Sequence, residues 1–319
     1  MLKIVFVFVI GAGLLAFGAG ITNAQDFPTK PIRILTSAPG GSSDFVARVL
    51  SQQLAGPLGQ PVIIDNRAGG VVIARPVSQA APDGYTLLLD GATMWLPTLL
   101  QQMPYDPIKD FSPVTLAAIS PNVLVVHPSL PVNSVPELIA FAKSRPGQLN
   151  YGATPPGGSL HLSMELFNAM AGVEIVRISY KGAGPAVTAL VGGHVALAIP
   201  SARAVVAHVK SGRLKALGVT TSKPSPLMPG LPTLSDAGLP GYESTQRTGI
   251  FAPAGTPATV ITRLNQEMAR VLKNSAVRER MLVGGIEPVG STPEELAEAV
   301  TTDLAKWAKI IKDAGIRIN

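Results

Sequence analysis

Two stretches of small residues stand where a strand hands over to a helix, and both are composed to take hold of an anion. The first is Pro39-Gly40-Gly41-Ser42-Ser43-Asp44; the second is Tyr151-Gly152-Ala153-Thr154-Pro155-Pro156-Gly157-Gly158-Ser159. The opening turn of a helix carries N–H groups with no intrahelical acceptor and the positive end of the macrodipole. Such a loop binds carboxylate or phosphate oxygens without any cationic side chain. Glycine lets the main chain come close to a ligand, and Ser42, Ser43 and Ser159 add hydroxyl donors. Taken alone, the first loop reads sooner as a local device, with Ser43 or Asp44 capping the helix and the glycines turning the chain. A pair of loops shifts the balance, because on two domains they face one ligand across a crevice at the carboxyl ends of the strands. Tyr180-Lys181-Gly182-Ala183-Gly184-Pro185 is a third loop of this kind and brings Lys181 to the second-domain wall.

Few other residues offer chemistry. The four histidines, His127, His161, His194 and His208, match no helical ligand pair, and neither an H-E-x-x-H run nor an Asp-rich loop occurs, so no metal or other cofactor is expected. With no cysteine there is no thiolate site, cysteine nucleophile or disulfide. No Gly-x-Ser-x-Gly elbow or Gly-x4-Gly-Lys-Ser/Thr phosphate loop is present. Ser159 and His161 form a catalytic pair only by closeness in sequence; His161 reads more simply as a satisfied histidine than as a ligand contact. No catalytic residue is assigned, and the chain is expected to bind a solute without converting it. A secreted hydrolase is the least favoured alternative.

The loops need a scaffold of alternating strands and helices, and the hydrophobic periodicity supplies one. Strands are expected at 32–35, 62–64 and 85–89, then at 123–126, 149–151, 175–178, 196–199 and 216–219, and finally at 248–251 and 287–289. Helical spacing begins at Ser43 or Asp44 and recurs at 135–144, 160–170, 185–191, 202–210, 257–274 and 276–283. A long last helix opens with Thr292 as N-cap, Pro293 in first position and Glu295 completing a capping box, and shows an apolar face of Leu296, Val300, Leu304, Trp307 and Ile311. The Pro- and Gly-dense segment 223–242 reads as a long surface connection. The order implies an α/β protein with largely parallel strands and a second sheet in the middle of the chain.

The start of the chain bears on location. Lys3, an apolar stretch broken by Gly11 and Gly13, and Thr22-Asn23-Ala24 read as a secretory signal peptide cut after Ala24; the alternative is a membrane anchor. The net charge of +6 comes from basic residues spread along the chain, with no Arg/Lys block and few aromatics, which speaks against nucleic acid. A diffuse positive field suits an anionic ligand, or merely keeps the protein soluble.

Several runs together carry a resemblance. Ala38-Pro39-Gly40-Gly41-Ser42-Ser43-Asp44, Asn66-Arg67, Ala81-Pro82-Asp83-Gly84-Tyr85-Thr86-Leu87, Pro104-Tyr105-Asp106-Pro107, Asp110-Phe111-Ser112-Pro113-Val114 and Phe251-Ala252-Pro253-Ala254-Gly255-Thr256-Pro257 resemble the Bug (Bordetella uptake gene) family of tripartite tricarboxylate transporter receptors. That resemblance implies a type II periplasmic-binding-protein fold, with two α/β domains joined by hinge strands around a ligand cleft. It implies boundaries at 25–121 plus 247–319 for one domain and 122–246 for the other. It further implies a periplasmic monomer that passes a small organic acid, a di- or tricarboxylate or an aromatic acid, to membrane permease subunits; a sensor docking on a signalling partner is the runner-up. One ligand carboxylate would lie between Gly40–Asp44 and Gly152–Ser159. The sequence departs from the family pattern at the distal wall, where Pro200, beside Ser201, replaces an acidic residue and Arg247 replaces an aromatic one. Arg247 either enters the cleft to pair a second carboxylate or points into solvent.

Overall fold

The structure, a computed structural model, describes residues 27–154 and 158–313. The expected leader peptide and Gly157 lie outside the described residues.

The first sheet has six strands in the order β11-β4-β10-β3-β1-β2. Its parallel half is β1 (Ile32–Thr36), β2 (Val62–Asn66) and β3 (Thr86–Gly91), connected through helices α1 (Ser42–Leu58) and α2 (Val71–Ser78). Its antiparallel half is β4 (Phe111–Ser120), β10 (Gln246–Pro253) and β11 (Glu287–Pro288). Short helix α3 (Ala92–Trp95) and a 3-10 turn at Leu96–Leu99 follow β3. Helices α8 (Ala258–Lys273), α9 (Ser275–Val283) and α10 (Pro293–Asp313) complete this lobe.

The second sheet runs β7-β6-β8-β5-β9, made of β5 (Val123–Val126), β6 (Asn150–Ala153), β7 (Val176–Ser179), β8 (Leu197–Ala198) and β9 (Lys215–Val219). Helices α4 (Val135–Lys143), α5 (Ser159–Ala171), α6 (Ala183–Val191) and α7 (Ala202–Lys210) join these strands. The chain crosses between lobes at Pro121-Asn122 and returns through Glu243-Ser244-Thr245 into β10. Helix α10 packs on β4 and also on α5, so its apolar face serves both lobes. Leu296, Val300, Trp307 and Ile311 are buried there, in one core cluster with Trp95 of the first lobe and Phe167 of the second.

Two expectations need correcting. The strands are mixed rather than largely parallel, because the two crossings deliver β4 and β10 to the first sheet as an antiparallel pair. β4 itself is absent from the sequence reading: Pro113 interrupts its pattern, and proline within a run argues against a strand. The sheet accommodates it through register shifts along the β10 pairing, at Thr248/Gly249 and Ile250/Phe251. Residues 223–242 form the long surface connection expected, with no helix or strand and half of the residues exposed, anchored to the lobe at a few points. Leu234, Leu239 and Tyr242 are buried, Leu234 N–H donates to Val219 O at 2.8 Å, and the Tyr242 hydroxyl donates to Ser163 O at 2.7 Å. The capping box appears as read: Glu295 N–H donates to Thr292 Oγ1 at 3.2 Å, and Thr292 N–H to Glu295 Oε2 at 2.8 Å.

Gly91 of β3 lies directly against β10, where a Cβ would lie 2.5 Å from the Arg247 carbonyl oxygen. That contact is with backbone and cannot be relieved by a rotamer change. Gly91→Ala should therefore cost about 1–3 kcal/mol in urea unfolding, the usual penalty for forcing an atom into a packed site. An unchanged midpoint would show that the two strands part freely.

Candidate functional site

A cavity of about 500 Å³ lies between the lobes and touches both crossings. The first lobe supplies Ser42 and Ser43 from the first turn of α1, with Gly69, Gly70 and Asp90 nearby; the second supplies Gly158 and Ser159 from the start of α5. Asn122 and the segment from Ser244 to Thr248 form the wall at the crossings, and Leu96, Leu162 and Trp307 give it apolar surface.

The helix starts explain the anion character of this space. α1 begins after Gly41 and α5 after Gly158, both with extended N-cap backbone and no side-chain cap. The first main-chain acceptors are used from Phe45 (N–H to Gly41 O, 3.1 Å) and Leu162 (N–H to Gly158 O, 2.9 Å) onward. The N–H groups of the preceding residues point out of the helix ends without a cap. Away from the cavity, α4, α9 and α10 begin with Ser134, Asn274 and Thr292, whose side chains accept those first N–H groups. Both helices are long enough for a macrodipole that favours an anion at the start.

The α1 loop is braced from behind. Asp44 accepts from Gly40 N–H at 2.9 Å and from Asn66 Nδ2 at 2.8 Å, and pairs with Arg48 Nε at 2.9 Å; Asn66 Nδ2 also donates to Ser37 O at 2.7 Å. Burial pushes the Asp44 carboxyl up, but Arg48, the Gly40 N–H and Asn66 together hold it below the ordinary aspartate value. Its charge is spent on the loop rather than offered to the cavity.

Of the residues singled out in the sequence, the cavity wall gathers Ser42, Ser43, Gly158, Ser159 and Arg247. Pro39, Gly40 and Gly41 are exposed outside the lining. Gly152 and Ala153 are buried in β6, and Thr154 follows them outside the lining. Pro200 is buried, its carbonyl accepting from Val123 N–H at 2.8 Å, and Ser201 forms a bridge with Asn122. Lys181 is exposed, ahead of α6. His161 is buried with Nε2 3.1 Å from Arg177 Nη1, and burial holds its pKa below the ordinary value, so it is a neutral packed histidine at pH 7. Ser159 Oγ accepts from Gln246 Nε2 at 3.2 Å, a link across the lobes.

Arg247 lines the cavity rather than pointing into solvent, as one of its two sequence readings expected, and its guanidinium is already paired within the protein. It reaches the cavity wall, but Nη1 is 2.7 Å from Asp303 Oδ1 and Nη2 is 2.5 Å from Glu243 Oε1. Lys306 Nζ joins the group by donating to Glu243 O at 2.5 Å. Burial raises the Asp303 carboxyl, against the pull of Arg247 and Lys306, and lowers the Lys306 amine.

Sequence reasoning missed Asp90 and Asn122. Asp90 ends a parallel strand, where α/β folds place ligands, and that position is the signal that could have found it. Thr93 Oγ1 donates to it, 2.9 Å from each carboxylate oxygen, and the N–H groups of Gly91 and Gly70 donate as well. Burial nevertheless pushes its pKa up to about 6. Because the folded-state value is raised, the stability tied to the protonated form is fully present below the unfolded value and is lost as pH rises through 6. Between pH 4.5 and 7.5 the native protein should lose about 2 kcal/mol relative to Asp90→Asn, which does not titrate. Urea unfolding of both proteins at the two pH values checks this; a constant difference would place Asp90 at an ordinary value.

Among the described residues no group of three or more His, Asp or Glu side chains could hold a metal ion, and no helix is long and apolar enough to cross a membrane. Residues 46–316 match the model of the tripartite tricarboxylate transporter family receptor. Protein BugT of Bordetella pertussis is 36% identical over all of this chain and 98% of its own length. Among solved structures, R. palustris Rpa4515 with adipate is 38% identical with a TM-score of 0.78, covering 92% of this chain and 99% of that one. MatC from Rhodopseudomonas palustris with bound malate is 32% identical with a TM-score of 0.73, covering 89% and 100%. Periplasmic binding protein BugD is 30% identical with a TM-score of 0.75, covering 91% and 99%. The family and these neighbours are solute-binding receptors rather than enzymes. On this evidence the chain belongs to the tripartite tricarboxylate transporter receptor family and is a solute-binding receptor of the type II periplasmic-binding-protein fold.

Proposed function

We propose that this protein works in the periplasm as a monomeric receptor that closes its two lobes on a small carboxylate and presents it, chemically unchanged, to the membrane permease of a tripartite tricarboxylate-type transporter. The observation that carries the reading is the cavity between the lobes, lined at once by the uncapped starts of α1 and α5. The N–H groups there, with the Ser42, Ser43 and Ser159 hydroxyls, form a donor set for one carboxylate. Gly40, Gly41, Asp44, Gly152, Ala153 and Thr154 act behind that set by shaping and holding the two loops. Residues 25–121 with 247–319 form one gripping lobe and 122–246 the other, with Asn122 and Gln246 at the boundaries. The adipate and malate in the solved relatives support the ligand class.

The test is a thermal-shift screen over mono-, di- and tricarboxylates and aromatic acids, followed by titration calorimetry and recovery of the ligand after incubation. A ligand at about 100 times its Kd adds about 2.7 kcal/mol, which for a protein of this size raises Tm by roughly 4 °C. The acid should come back intact. Lack of response to every acid would contradict the binding reading, and a recovered product would contradict the absence of catalysis.

A further inference from the structure

The side-chain amide of Gln246 meets the start of α5 from the other lobe. Gln246 opens β10, pairs there with Ser120 at the end of β4, and lines the cavity with a half-buried side chain. Ser159 is the first residue of α5, exposed and on the same wall. Gln246 Nε2 donates to Ser159 Oγ at 3.2 Å. An amide nitrogen can only donate, so the hydroxyl receives this bond on a lone pair and keeps its own proton. Among the described residues Ser159 Oγ has no other hydrogen-bond partner.

The bond lies where the chain changes lobes. On the first crossing Ser120 still belongs to β4, while Asn122 N–H donates to Thr220 Oγ1 of the second lobe at 3.0 Å. On the second, Ser244 N–H donates to Thr220 O at 3.0 Å, and Gln246 is already in the first sheet. Each crossing passes between lobes over a single residue, Pro121 or Thr245, and motion of one lobe against the other turns about these two places. A contact next to a turning point shifts little while the distant rims of a cleft open and close.

We propose that Gln246 is a positioning residue of the solute site: its donation to Ser159 Oγ reserves the hydroxyl proton for the carboxylate at the starts of α1 and α5, in the open and closed forms alike. The inference rests on the carboxylate reading above and adds how one donor of that set is held ready. Without the amide the Ser159 hydroxyl rotates among water partners, and ordering it takes part of the binding free energy. An acceptor at position 246 does the reverse: it captures the proton and, if charged, sets a negative group beside the anion site.

The test is titration calorimetry at neutral pH on the purified protein, with the tightest-binding acid of a carboxylate screen that includes adipate, malate and benzoate. Ser159→Ala should weaken binding about tenfold, the weight of one hydrogen bond to a charged group, and Gln246→Leu by about fivefold. Gln246→Ala gives the same reading should the leucine variant fail to fold. The double variant should bind no more weakly than Ser159→Ala, because Gln246 acts through that hydroxyl. Gln246→Glu, the closest in shape to the native side chain, should bind worse than Gln246→Leu, an order that a space-filling role would reverse. Native affinity in Gln246→Leu, losses that multiply in the double variant, or tight binding by Gln246→Glu overturns this inference and leaves the carboxylate reading standing. No binding of any acid by the native protein overturns both.

Discussion

Helices α1 and α5, one from each lobe, begin on glycine at the same cavity, and much of the molecule is arranged around the N–H groups they leave uncapped. A helix start is ordinarily closed by a Ser, Thr, Asn or Asp side chain, worth about 1 kcal/mol. α4, α9 and α10 follow that rule. α1 and α5 do not, nor do α2, α6, α7 and α8; at the cavity, Gly41 and Gly158 leave the first-turn donors of α1 and α5 to be met from outside the helix. Each helix then needs a rigid footing, since an uncapped end frays. Asp44, Asn66 and Arg48 provide it for α1, and buried Leu160, Leu162 and Phe167 for α5.

Bringing two such ends to one ligand requires joints that bend without coming apart. The joint between the lobes is a set of neutral hydrogen bonds on the two crossings. Asn122 N–H donates to Thr220 Oγ1 at 3.0 Å, Thr220 N–H donates back to Asn122 O at 3.0 Å, and Asn122 Nδ2 reaches Ser244 O. Behind it the ion pairs of Arg247 tie β10 to α10 through Asp303. A buried pair of this kind is costly to break from one side, which sets a cost on turning Arg247 toward a ligand.

Much of this was legible in the sequence because it follows from local rules. The uncapped loops, the helix starts at Ser134 and Thr292 and the alternation of strands and helices all lie within a few residues of their own signals. β4 was not legible, because Pro113 disguises a strand whose partners lie more than a hundred residues away on β10. The setting of Arg247 was hidden for the same reason: Glu243 is close in sequence, but Asp303 is brought in by α10. Asn122 carried no pattern at all, since its meaning lies in Thr220 and Ser244, which only folding places beside it.

The central claim is that the helix starts, and not the arginine, hold the ligand's carboxylate. A crystal structure with the tightest-binding acid tests it most directly. The account predicts carboxylate oxygens about 2.9 Å from first-turn N–H groups of α1 and α5, with the Arg247 pairs to Glu243 and Asp303 intact. A carboxylate seated on Arg247, with Asp303 displaced, would contradict it.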